Sequence, residues 1–230
     1  MDKRLLKTIF FSAFIFIPVS YVESKTTLTL GYIEFPPFTY TNRLGLADGL
    51  LIKKTKKILT QAGFKYHIFA LPTNRLLYYL KHGKIDLWLG INDQNEYQHT
   101  VLVGTKALTE INLNIYSVNG KKIDLITDLN NNEIIVIRGY RYGGFLDVLQ
   151  KTKNNITLFT TKSHKSAFAM LAHHRAPYLL AYQHPADLAL EQITIDNLTI
   201  NHISTLPVFF IISKKTTNAA QVLTALDENM

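Results

Sequence analysis

The chain contains no cysteine in 230 residues. Disulfide frameworks, thiolate metal sites, iron–sulfur ligation and cysteine nucleophiles are therefore excluded. Only 18% of residues are charged, too few for a chain held open by its own charge. No internal repeat or low-complexity tract is evident. After residue 24 no apolar run approaches the roughly 20 residues that span a bilayer. Gly-x-Ser-x-Gly and His-x-x-x-His motifs are also missing, so no cofactor or metal and no enzymatic activity are expected. What is present is 47% hydrophobic residues, with 12 Tyr and 13 Phe against one Trp. That is ample material for one large or two small cores.

Met1–Ser24 begins with Lys3, Arg4 and Lys7, continues as an apolar run from Ile9 to Val19, and ends with Val22 and Ser24. This is the pattern of a secretory signal peptide cleaved near Ser24, which implies a periplasmic protein. The competing reading is a membrane anchor; the short run and Pro18 tell against it. Removing three cations and two acids (Asp2, Glu23) lowers the net charge from +8 to +7. The remaining cations are scattered, and the densest run, Lys53–Lys57, suits the wet face of a helix. A nucleic-acid partner is therefore not expected.

The rest of the chain alternates strand, turn and helix. Strands are expected at Thr27–Ile33, Lys65–Ala70 and Ile85–Leu89. Helices are expected at Leu50–Gln61, ended by Gly63, and at Arg75–His82, capped by Asn74 and ended by Gly83. The pattern restarts with strands at Glu133–Arg138, Ile156–Thr160 and Tyr178–Tyr182. Helices there are expected at Phe145–Lys151, from Ser163 to His174, and at Pro185–Gln192. A strand at Val208–Ser213 and a helix at Asn218–Leu226 close the chain. Two β-α-β-α-β units predict an α/β protein of two lobes, each a mainly parallel sheet flanked by helices. Strands near 112–117 and 204–212 would cross between them. The expected division is 25–115 with 206–230 for lobe 1, and 116–205 for lobe 2. Ligands of such sheets sit at the carboxyl ends of strands, so facing lobes make a cleft.

The stretches Gly31-Tyr32-Ile33-Glu34-Phe35-Pro36-Pro37-Phe38-Thr39-Tyr40, Asp48-Gly49, Arg75-Leu76-Leu77, Gly83-Lys84-Ile85-Asp86, Asp128-Leu129 and Gly139-Tyr140-Arg141-Tyr142 resemble, in order and spacing, the extracytoplasmic solute-binding proteins of bacterial family 3. The resemblance covers nearly the whole exported chain. It implies the type II periplasmic binding fold with two crossover hinge strands, closing around a small solute. Members usually serve ABC-type uptake systems; others are sensor domains and a few relatives are dehydratases. An inner-membrane permease or a sensor protein is thus the implied partner of a monomer. Two positions depart from the family. Tyr97 stands where an arginine holds the ligand carboxylate, and Tyr182 where an aspartate holds the ammonium. A phenol cannot replace a guanidinium fork, so an ordinary α-amino acid is not the expected ligand. The closing helix also looks short.

The expected cleft residues are Glu34, Phe35, Phe38, Tyr40, Arg75, Asn92 and Tyr97 from lobe 1. Lobe 2 would supply Tyr140, Arg141, Tyr142, Ser163, His164 and Tyr182. Arg75 and Arg141 would grip a small polar or anionic ligand from opposite sides, with the rings enclosing the rest. Phe35 and Phe38 could equally be packing for the Pro-Pro turn, and Arg75 a surface residue paired with Glu34 or Asp93. The glycines around Arg141 would leave backbone N–H groups for an anion, or form an ordinary strand–helix turn. Ser163 is read first as a helix cap, and Trp88 as core. A sensing module and a dehydratase using Glu34 or Asp93 are the alternatives to an uptake receptor.

Overall fold

The computed structural model describes residues 27–92, 98–118, 120, 122–123 and 125–230. The signal peptide expected at 1–24 lies outside the described residues, as do Asp93 and Tyr97.

The elements run in the order β1 (Thr27–Tyr32), β2 (Tyr40–Thr41), β3 (Ala47–Asp48), α1 (Leu50–Gln61), β4 (Lys65–Ala70), α2 (Thr73–His82), β5 (Leu87–Ile91) and β6 (Val101–Val103). They continue as β7 (Thr109–Val118), β8 (Glu133–Ile137), α3 (Phe145–Leu149), β9 (Thr157–Thr161), α4 (His164–Ala172), β10 (Tyr178–Tyr182), α5 (Gln183–Leu190), β11 (Leu198–Ser213) and α6 (Ala219–Glu228). One sheet follows the path β4-β1-β5-β11-β7-β10-β8-β9, with β6 also on β11. The two halves repeat one plan. β1 lies between β4 and β5, parallel to both, and β8 lies between β9 and β10 in the same way.

Between the halves run β7 and the 16-residue β11, antiparallel to each other over nearly all of β7. The chain crosses on them, and β11 starts at Leu198, six residues before the crossover strand expected near 204. Thr199, Asn201 and His202 interrupt the apolar pattern of residues 198–203. Asn114 and Asn201 are nevertheless buried, and β7 supplies the missing partner strand. The register slips between His202 and Ser204, a bulge within the crossover.

Local chemistry explains most element ends. α1 turns Leu51, Ile52, Ile58 and Leu59 inward and its lysines outward. α2 begins at Thr73, not after Asn74, because Pro72 fixes the entering φ at −58° and its carbonyl accepts the Leu76 amide. It stops at Gly83, which is left-handed (φ 68°). α5 begins at Gln183 and takes Pro185 into its first turn, where no amide donor is required. Ser163 caps α4 as expected, its Oγ accepting the Ser166 amide at 3.1 Å. β5 starts two residues late because Asp86 is spent on a joint. Its Oδ2 accepts from the Thr29 amide (2.8 Å) and Oγ1 (2.7 Å), and its Oδ1 from Thr216 Oγ1 (2.8 Å).

Burial follows the two-sided sheet. One cluster under α4 and α5 holds Tyr116, Phe168 and Leu179, and another under α2 holds Leu76, Leu80 and Trp88. The largest runs through both halves, from Leu30 and Phe35 to Tyr142, Leu180 and Tyr182. The facing surfaces of the halves are thus joined by packed apolar groups.

Candidate ligand-binding site

The carboxyl ends of β1, β4, β5, β8, β9 and β10 all lead into segments that border the space between the halves. β1 leads into an aromatic turn. The Phe35 amide donates to the Thr39 carbonyl (2.7 Å), the Thr39 amide returns to the Phe35 carbonyl (3.1 Å), and Thr39 Oγ1 donates to the Ile33 carbonyl (2.7 Å). The start of α1 fastens this turn through Leu50 to Pro37 (3.0 Å) and Leu51 to Phe38 (2.9 Å). Gly49 permits the approach: its φ is 118°, and a Cβ there would collide with the Phe38 carbonyl.

The turn aims its rings across the cleft. Phe35 meets Tyr182 edge-on with ring centres 5.3 Å apart and Tyr140 at 5.8 Å, while Phe38 meets His184 at 4.7 Å. Tyr140, Tyr142 and Tyr182 pack on one another at 5.4–5.9 Å. Tyr142 is fully buried with φ at 56°, a conformation few side chains adopt, and its hydroxyl accepts the Ile137 amide at 2.6 Å. Burial raises the pKa of Tyr140 and Tyr142, so both phenols stay neutral.

Two chambers result. The inner one is a cavity of about 90 Å³ walled by Phe35, Phe38, Leu77, Trp88, Ile91, Ile111, Val208, Tyr140 and Tyr182 among others. Arg141 is the only charged side chain in that wall among the described residues. Its Nη2 reaches both oxygens of Asp147 at 2.9 and 3.1 Å. The outer chamber, about 530 Å³, is lined by Glu34, Pro36, Leu71 and Pro72 on one side and Arg138, Lys162, Ser163 and His164 on the other. Ile33, Thr73 and Tyr140 line both and form the neck between them. Burial lowers the pKa of His164 to about 4, so its ring is neutral at pH 7. Its Nε2 is buried without a hydrogen-bond partner.

The expected residues are therefore distributed unevenly. Phe35, Phe38, Tyr140, Arg141, Tyr142 and Tyr182 border the inner cavity, and Glu34, Tyr140, Ser163 and His164 the outer chamber. Tyr40, Arg75 and Asn92 border neither, and Tyr97 lies outside the described residues. The expected pair of arginines facing each other is not assembled. Arg75 is exposed on α2 and Arg141 is bound to Asp147. Nor does the glycine turn simply hold its amides out for an anion. The Tyr140, Gly144 and Leu146 amides bond back to Ile137 and Arg141 carbonyls, because closing the turn consumes them. Ser163 is spent on its cap.

Residues not anticipated are Thr73, Leu77, Arg138 and Lys162, together with a second role for Trp88. Arg138 and Lys162 each follow a strand directly, so the strand-end rule applied to every strand would have found them. Trp88 is core, as expected, but its indole also lies over Gly90, where a Cβ would collide with it, and walls the cavity. A bulky residue two before a glycine in a strand, sharing its face, is the legible signal. Among the described residues no cluster of His, Asp or Glu could hold a metal ion, and no helix is long and apolar enough to cross a membrane.

No protein-family model and no curated protein matches the sequence. Solved structures do. A histidine kinase sensor domain with similarity to periplasmic binding proteins superposes with a TM-score of 0.73, at 17% identity over 89% of each chain. The chain has the two-lobed periplasmic binding protein fold. The holo arginine-binding protein of T. maritima has the same fold at a TM-score of 0.67, with 18% identity over 88% of each chain. So does an ancestral amino acid-binding protein, a precursor of cyclohexadienyl dehydratase, at 0.67 and 18% identity, covering 88% of this chain and 87% of that one. In this binding-protein fold the two sheet halves are the lobes, β7 and β11 the crossover strands, and the two chambers the interlobe cleft.

Proposed function

We propose that the protein is an exported solute-binding protein that captures a small ligand in its interlobe cleft. The lobes are divided at about residues 115/116 and 205/206, within the crossover strands. The observation that carries the reading is that both chambers draw their walls from both lobes. A ligand there gains contacts to each lobe only when they are together, which couples binding to closure. Phe35, Phe38, Tyr140 and Tyr182 would enclose it. Output to an ABC-type permease is the primary reading, with a periplasmic location following from the expected signal peptide.

A sensing role is the second reading. It is favoured by the histidine kinase sensor domain, whose TM-score of 0.73 exceeds that of the arginine-binding protein. A dehydratase has less support, because among the described residues no carboxylate lines the inner cavity to move a proton.

The test is a thermal-shift screen of metabolite solutes followed by calorimetry. A true ligand at 100 times its Kd should stabilise the protein by about 2.7 kcal/mol. Phe35→Ala should abolish the shift. A confirmed ligand whose affinity ignores Phe35→Ala and Tyr140→Ala would overturn the cleft as its site. Co-purification with a permease or with a sensor protein separates the two outputs.

A further inference from the structure

The two chambers differ in chemistry as well as in size. The inner cavity, about 90 Å³, is smaller than the roughly 150 Å³ apolar cavity that holds benzene, and its walls are rings and aliphatic chains. Its one charged wall residue among those described, Arg141, is already bound to Asp147, so it suits a compact alkyl group and penalises a polar one that finds no partner there. Among the described residues the neck of Ile33, Thr73 and Tyr140 carries no acid, so an ammonium at that depth would be stripped of water without a counter-ion from them.

The outer chamber supplies charge. Arg138 and Lys162 follow adjacent parallel strands, β8 and β9, on the lobe 2 wall, and neither forms an ion pair among the described residues. His164 beside them is a neutral ring with an unpaired buried Nε2. Glu34 on the opposite wall is turned into its own lobe, its two oxygens accepting the Thr41 amide and hydroxyl. Among the described residues the chamber therefore keeps two cations against one engaged carboxylate.

We propose that the cleft selects a small monocarboxylate carrying a compact branched alkyl group and no ammonium. The alkyl group fills the inner cavity, and the carboxylate sits in the outer chamber on Arg138 and Lys162. This rests on the binding-protein reading above.

Calorimetry with 3-methylbutanoate, acetate, succinate, 3-methylbutanol and leucine tests it on the unaltered protein. 3-Methylbutanoate should bind about tenfold or more tightly than each of the others, because only it satisfies both chambers. Its affinity should fall with added salt. Arg138→Ala with Lys162→Ala should weaken it by about tenfold or more while leaving the melting temperature within a degree or two, since both residues are exposed. Leu77→Phe, which narrows the cavity, should shift preference toward acetate. Succinate or leucine binding as tightly as 3-methylbutanoate would overturn the proposal. So would an affinity indifferent to the double substitution. If none of the five binds while another solute shifts the melt through Phe35, the ligand class is wrong and the receptor reading stands. If no solute binds at all, both fall.

Discussion

The inner and outer chambers are built by the same two halves of the sheet, yet the inner one is walled mainly by rings and aliphatic chains, while the outer one adds Glu34, Arg138 and Lys162 to its apolar lining. Most of the inner wall belongs to the cluster that continues through Phe35, Phe38, Tyr142 and Tyr182 from one lobe into the other, and Leu77 and Trp88 join it from the cluster under α2. The outer walls are strand-end residues whose side chains mostly reach solvent. A side chain at the inner chamber therefore supports the fold and shapes the ligand at once. Arg138 and Lys162 at the outer chamber are exposed and contribute little to the packing. The difference separates two kinds of variant by what they disturb.

Tyr142→Ala, at the inner chamber, should cost the most stability. It removes a fully buried ring and the acceptor of the Ile137 amide, and a loss of about 3–5 kcal/mol in denaturant melts is expected. Tyr142→Phe keeps the ring and should lose about 1–3 kcal/mol, which isolates the orphaned amide. Gly49→Ala should follow, costing about 1–3 kcal/mol, because its backbone conformation and the closeness of Phe38 both exclude a Cβ. Any of these three leaving stability unchanged would show that the aromatic turn is not tied to the core.

His164 lines the outer chamber and should respond to pH. Its folded pKa of about 4 lies below the ordinary value of 6.5. Between those values the unfolded chain binds the proton that the folded chain refuses, so stability falls as pH drops from about 6.5 toward 4. The melting temperature should decline over that window, and His164→Phe should flatten the decline. A profile identical in the two proteins would place the acid sensitivity elsewhere. The smallest effect is expected for Arg141→Ala. Its pair with Asp147 is half-exposed, and such pairs contribute about 0–1 kcal/mol. An effect on ligand affinity larger than that of Arg138→Ala would reverse the assignment of the anion-holding cation.

Much of the fold was legible. α1, β4 and β10 occupy the residues their patterns indicated, and the two β-α-β-α-β runs are present in the expected order. The polar first half of β11 was not legible, because it is a strand only by virtue of the Leu198–Val118 to Val208–Thr109 pairing with β7. Within the site, the aromatic residues after β1 and β8 were legible from strand ends and spacing. Which arginine is ion-paired was not. Arg141 and Arg138 are three residues apart and chemically identical in the sequence, and only the placement of Asp147 decides which one is engaged.

The alternation of strand and helix, the inward faces of the helices and the positions of most strand ends follow from the amino-acid order alone. These depend on periodicity and on glycine and proline, which act within a few residues of themselves. The tertiary structure alone decided that Phe35 meets Tyr140 and Tyr182, that the glycine-turn amides bond inward, and that an apolar cavity lies behind a charged chamber. Those outcomes depend on which distant side chain arrives as a partner. A buried donor, ring or charge takes its role from that partner rather than from its neighbours in the chain.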